Sequence, residues 1–203
     1  MRLYYAPGTI SVAVAIALEE AGLDYTPVLV DFATAQQTTP DYQQINPKGR
    51  VPALDLGGPI LTETGAILEY IGAQAPQLVP EDAVEAARMR AVMFYLASTM
   101  HVNHAHKMRG HRWADREDSW QDMAAKVPET MTASAAYVED NCITGPLVAG
   151  EAFSLADPYL FVICTWLEGD GVDVSRFARI AAFREAMEAR QSVKTVREKG
   201  MLA

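Results

Sequence analysis

The chain has 203 residues, half of them hydrophobic, and its 17 basic and 26 acidic residues give a net charge of −9. That is enough apolar material for one domain or two small ones. An acidic chain gains nothing from counterion release on nucleic acid and is repelled by an anionic membrane surface, and no uncharged run approaches the roughly 18 residues of a membrane span, so neither partner is expected.

The N-terminus, Met1-Arg2-Leu3-Tyr4-Tyr5, enters a strand-like segment directly. It lacks the apolar region and cleavage site of a signal peptide, so a cytoplasmic location is expected. Cys142 and Cys164 are far apart and form no C-x-x-C motif, which reads as two buried, reduced thiols rather than a redox pair.

Residues 2–5 predict a strand, and Pro7-Gly8 marks a turn. Residues 10–21 are alanine-rich and apolar on nearly every face, which predicts a buried helix stopped by Gly22. The β-branched and aromatic residues of 25–30 predict a second strand, and a β-α-β order implies a parallel pair. The polar stretch 31–50 predicts an irregular connection with at most one helical turn. Residues 53–56 and 59–61 flank Gly57-Gly58 as a hairpin, and a helix is predicted from 62 to about 74.

After Pro76 the pattern changes, and Gln77-Leu78-Val79-Pro80 reads as a linker. Three longer helices are predicted over 81–111, 116–141 (bent or interrupted at Pro128) and 154–167, with shorter ones at 176–188 and 192–199. In the third, Ser154 and Asp157 form a capping box with Pro158 in the first turn, a structural device whose loss should cost about 0.5–2 kcal/mol. The partition implied is an α/β domain over 1–76 and an all-α domain over 82–203.

The most telling stretch is Asn46-Pro47-Lys48-Gly49-Arg50-Val51-Pro52-Ala53-Leu54, followed by Leu61-Thr62-Glu63-Thr64-Gly65-Ala66-Ile67. A cis bond at Val51-Pro52 would turn the chain sharply and leave the Val51 main-chain groups unpaired at a sheet edge, open to strand addition by an extended peptide. An ordinary trans-proline in a loop is the other reading. Glu63-Thr64 stands at a helix start, where amides and a hydroxyl can hold a ligand carboxylate and Glu63 can meet a ligand ammonium. A plain cap is the alternative there.

These two segments with Tyr70-Ile71, and the start Leu3-Tyr4-Tyr5-x-Pro7-Gly8-x-x-Ser11, resemble the glutathione transferases, nearest to their bacterial beta class. The resemblance implies a thioredoxin-like N-terminal domain that binds glutathione, an α-helical C-terminal domain that supplies the electrophile pocket, and a homodimer. Its implied reaction is a detoxifying transfer of the glutathione thiolate to a small hydrophobic electrophile. It implies that Val51, beside Pro52, pairs with the cysteinyl unit and that Glu63 and Thr64 hold the γ-glutamyl end.

Two departures stand out. The cysteine of the beta class is replaced by Ile10, so no mixed disulfide can form there. Hydroxyls remain as partners for the sulfur: Ser11 first, Tyr5 second, Thr9 third. Residues 31–41 contain no lysine or arginine for the glycyl carboxylate, which leaves Lys48, Arg50 or a histidine of the second domain.

All four histidines, His101, His104, His106 and His111, lie within eleven residues. On one helix they do not converge as metal ligands do, and no metal is expected. The resemblance places His101 in the active-site cleft, with the acceptor against Phe94, Met100, His101, His104 and Trp113. Three rival functions keep the same fold: a non-catalytic glutathione- or ligand-binding protein, a protein-interaction module, and a glutathione-dependent isomerase or peroxidase.

Overall fold

A computed structural model describes residues 1–202. The chain divides into two compact units: Met1–Pro80 together with the segment from Met187 onward, and Glu81–Ala186.

In the first unit, β1 (Arg2–Tyr5), α1 (Ser11–Ala21) and β2 (Thr26–Leu29) form the expected β-α-β turn of chain. β1 and β2 pair in parallel, Leu3 opposite Pro27. The connection of 31–50 holds more order than expected, a 3-10 turn at Gln36–Thr38 and the short helix α2 (Pro40–Ile45), started by the Thr39 hydroxyl. β3 (Ala53–Asp55) and β4 (Ile60–Thr62) form the hairpin, and the sheet order is β2-β1-β3-β4 with both added strands antiparallel. The hairpin turn needs Gly57 at φ 88, and its amide donates to Asp55 Oδ1 at 2.7 Å.

α1 is buried on every face from Ser11 to Leu18, as its uniform hydrophobicity requires, and ends where Gly22 adopts φ 65. It packs against α3 (Thr64–Gln74) and against the last helix, α9 (Gln191–Glu198). The partition expected from sequence puts everything after 82 with the helices, but the segment from Met187 joins the first unit. The physical reason is local: Val193 and Val196 are fully buried on α9, and Arg190 makes two hydrogen bonds to the Glu20 carboxylate, at 2.6 and 2.7 Å. An amphipathic helix reveals that it has a partner, not which partner.

The opposite face of the sheet carries a second small core of Tyr4, Val30, Tyr42 and Ala53, against which Val51 and Ile60 pack. Tyr42 is the strut of this face. Its ring meets Tyr4 edge-on at 6.0 Å and its hydroxyl donates to the Arg50 carbonyl at 2.8 Å.

In the second unit the helix expected over 81–111 is segmented. α4 (Ala83–Tyr95), N-capped by Asp82, passes through a π-turn at Leu96–Met100 into α5 (His101–Arg109) and a 3-10 turn at Gly110–Arg112. Gly110 is required where α6 (Glu117–Asn141) crosses, since a Cβ there would lie 2.8 Å from Trp120 Cβ. α6 runs through Pro128 as one continuous helix, so of the bend or interruption expected there the interruption does not occur.

α7 (Ala156–Cys164) is buried throughout. Asp157 reaches back to the Ser154 amide at 2.6 Å, as a capping box requires, and also accepts from the Val148 amide at 2.8 Å. The Ser154 hydroxyl, however, donates to Asp157 at 2.8 Å and makes no side-chain cap to the helix. α8 (Ala178–Glu188) receives its cap from afar: the Glu139 carboxylate accepts from the Arg179 and Ile180 amides at 2.8 and 2.9 Å.

Candidate functional site

The loop before β3 is fixed from within. Asn46 is buried; its Nδ2 donates to the Arg50 carbonyl at 2.7 Å and its Oδ1 accepts from the Lys48 amide at 3.1 Å. Gly49 sits at φ 60, where a Cβ would come within 2.9 Å of the Gln37 carbonyl. Beyond this clamp the Val51-Pro52 bond is cis. The Val51 side chain packs on the core of Tyr4 and Tyr42, while its N–H and C=O have no partner among the described residues. A rigid loop therefore presents one bare peptide unit.

Ten residues on, Glu63 takes φ 72 and ψ 120, the left-handed side of the map that a glutamate rarely enters, at a cost of about 1–3 kcal/mol. It occupies the N-cap of α3 but makes no side-chain cap. The carbonyl of Glu63 accepts from the Ile67 amide at 3.0 Å, and the amides of Thr64, Gly65 and Ala66 have no partner among the described residues. Such a first turn can hold an anion. The Glu63 carboxylate instead meets the Lys48 ammonium at 2.5 Å, which also donates to Thr62 Oγ1 at 2.8 Å. This pair is exposed and exchangeable. Arg50 offers a second cation close by in sequence, and its side chain has no partner among the described residues.

Gln37 is a residue that sequence reasoning passes over. Its Oε1 is the one buried side-chain polar atom without a partner among the described residues, and its backbone lies against Gly49. Glutamines in a polar loop carry no signal that would single one out.

The segment before α1 is organised differently. Ser11 is fully buried, and its hydroxyl lies 3.2 Å from the Ala6 amide, 3.3 Å from the Ala6 carbonyl and 2.7 Å from the Thr9 hydroxyl. Thr9 is only partly buried and donates to the Ala6 carbonyl at 2.8 Å. Ser11 is the first residue inside the helix and folds back on the strand-to-helix turn, so its hydroxyl is engaged on three sides. Tyr5, at the end of β1, keeps a hydroxyl with no partner among the described residues. Ile10 is buried.

In the second unit the four histidines spread over three indoles. His106 meets Trp113 edge-on at 4.6 Å, and His111 approaches Trp120 at 6.2 Å. His101 and His104 both face Trp166, at 5.1 and 4.2 Å, and His104 stacks on it with an interplanar angle of 22°. His104 Nδ1 lies 2.6 Å from Asp170, whose side chain is 1% exposed, and Lys107 stands 3.6 Å from the same carboxylate. Trp166 and Asp170 are a long way from the histidines in sequence, so no spacing announces them. Of the residues expected to face an acceptor, Phe94 and Trp113 are exposed, whereas Met100 is fully buried and serves the core.

Neither cysteine is poised as a nucleophile. Burial pushes the Cys142 thiol up to about 11 and the Cys164 thiol up to about 12. Thiolate chemistry at neutral pH has to enter with a ligand.

The family model "Glutathione S-transferase, N-terminal domain" matches residues 1–73. Glutathione S-transferase GstA of Escherichia coli O157:H7 is 31% identical over 199 residues, 96% of each chain. Among solved structures, a glutathione transferase homologue from Sulfitobacter with bound glutathione is 63% identical, with TM-score 0.97 over 99% of this chain and 98% of that one. A beta-class glutathione S-transferase from Sphingomonas chungbukensis is 31% identical, with TM-score 0.83 over 98% of each chain. The chain belongs to the glutathione S-transferase family, with that family's thioredoxin-like domain followed by helices.

Proposed function

We propose that the protein binds glutathione and transfers its thiolate to a small hydrophobic electrophile. The observation that carries the reading is the set of unpartnered recognition groups between Val51 and Thr64. Each has a counterpart in the tripeptide. The Val51 N–H and C=O suit the cysteinyl peptide unit, as an added strand would. The α-carboxylate of the γ-glutamyl end suits the first-turn amides of α3 and the Thr64 hydroxyl, and its ammonium suits Glu63. Lys48, displaced from Glu63, or Arg50 then answers the glycyl carboxylate.

With Ile10 where the resemblance implies a cysteine, the sulfur is left to hydroxyl donors. Tyr5 is the candidate with capacity to spare, because the single hydroxyl hydrogen of Thr9 is already given to the Ala6 carbonyl and Ser11 is held against Thr9. The enzyme's part is to orient the tripeptide and favour ionised sulfur. The homodimer belongs to the same reading, and exposed Phe94 and Met108 offer it apolar surface. Calorimetric titration with glutathione, followed by conjugation assays with an aryl halide and an enone, tests the proposal. Binding with turnover of either acceptor is expected, and a failure to bind glutathione overturns it.

A further inference from the structure

Lys48 and Glu63 belong to the same unit and meet at its surface, with the lysine side chain 42% exposed and the glutamate 66%. A pair this exposed adds little to the stability of the fold. Its main chains are nevertheless fixed on both sides. The Lys48 amide donates to Asn46 Oδ1 at 3.1 Å, and Gly49 beside it lies against the Gln37 carbonyl. Glu63 is held at φ 72, and its side chain makes no cap on α3. The carboxylate turns to Lys48 instead, 2.5 Å from Nζ, and the same Nζ stands 2.8 Å from Thr62 Oγ1. Lysine Nζ is a primary ammonium on an alkyl chain, the same donor group as the α-ammonium of a γ-glutamyl peptide. The chain therefore keeps a copy of that group on Glu63 when no ligand is bound.

We propose that Lys48 is an internal stand-in for the γ-glutamyl ammonium, and that it loosens the demand of the site for a free α-amino group. The proposal rests on the glutathione reading. A ligand that carries the ammonium displaces Lys48, so the pair it forms with Glu63 replaces one already present. Its gain from that contact is the difference between two ion pairs, because a ligand shifts an equilibrium only by its differential interaction with the two states. A ligand that lacks the ammonium leaves Lys48 on Glu63 and still sets its carboxylate on the first-turn amides of α3. Glu63 then has a cation in either complex. The ligand class admitted beside γ-glutamyl thiols is their deaminated form, the glutaryl thiols. An exposed pair of this kind offsets the ammonium by up to about fivefold in affinity, which reduces the preference without abolishing it.

Calorimetry on the full-length protein tests this with two ligands, glutathione and glutaryl-cysteinylglycine, its deaminated form. The proteins are the wild type, Lys48→Met, Glu63→Gln and the double variant, all changed only at exposed side chains. The quantity read is the ratio of Kd for the deaminated ligand to Kd for glutathione. Any contact of Lys48 with the glycyl carboxylate is common to both ligands and cancels in it. Lys48→Met is expected to raise the ratio about threefold when Glu63 is present and to leave it unchanged when Glu63 is Gln. An unchanged ratio in the first comparison overturns the proposal. So does an equal rise in both backgrounds, since Lys48 would then act on the net charge of the ligand and not through Glu63. A wild type that binds glutathione but not the deaminated form overturns it as well. A wild type that binds neither overturns the glutathione reading, and the proposal with it.

Discussion

The stretch from Val51 to Thr64 and the stretch from Tyr5 to Ser11 lie in the same unit, and both read from sequence as ligand contacts. In the first, the groups that matter are left without partners: a bare peptide unit at Val51, three free amides at the start of α3, and a glutamate held at φ 72. In the second, the residue favoured by sequence is engaged on three sides and fully buried. Polar groups that a fold leaves unpaired at rigid positions are available to a ligand, and those it pairs are part of the fold. A hydroxyl at a helix start looks the same in sequence in either case.

The contrast can be broken at several places. Glu63→Ala should weaken glutathione binding by about 1.5–3 kcal/mol, the range for hydrogen bonds to charged groups, or ten- to a hundredfold in Kd. Calorimetry checks it, and wild-type affinity would remove Glu63 from the site. A loss of similar size should appear in stability when the Glu20 clamp is cut. Burial alone would raise the Glu20 carboxyl, but hydrogen bonds from Arg190 and Ser192 and the Arg190 charge leave it below the usual glutamate range. A folded value below the unfolded one stabilises the fold above the unfolded-state value, and that stability is lost as pH falls through the folded value. Glu20→Gln should therefore cost roughly 1–3 kcal/mol at neutral pH. Denaturation curves of variant and wild type should converge in acid; a gap that persists there would show that the charge is not responsible.

Ser11→Ala should cost about 1–2 kcal/mol of stability through the lost Ala6 and Thr9 contacts, while Kd for glutathione moves less than twofold. The opposite pattern, full stability with impaired turnover, would return Ser11 to the sulfur. The smallest effect concerns the cysteines. With thiols raised to about 11 and 12 by burial, neither Cys142 nor Cys164 should react appreciably with iodoacetamide at pH 7 in the native protein. Rapid labelling without unfolding would contradict their buried, protonated state.

Much of the first unit was legible because its signals are local. Uniform hydrophobicity marks the buried α1, and Gly57-Gly58 marks the hairpin. What stayed hidden depends on distant pairing. The return of α9 to α1 rests on Arg190 and Glu20, 170 residues apart. The partner of His104 is 66 residues away. The π-turn at Leu96–Met100 breaks no hydrophobic pattern, so one long helix was the natural expectation. At Pro128 the helix continues where an interruption was one of the two expectations, because a proline removes one amide hydrogen bond and a long packed helix can absorb that.

The most direct test of glutathione recognition is a crystal structure of this protein with glutathione bound. The expected result is an antiparallel pairing of the cysteinyl unit with the Val51 main chain, the γ-glutamyl carboxylate on the first turn of α3 and its ammonium on Glu63, with Lys48 released from that side chain. Glutathione bound elsewhere, with the Val51 peptide groups and the α3 amides still unpartnered, would contradict it.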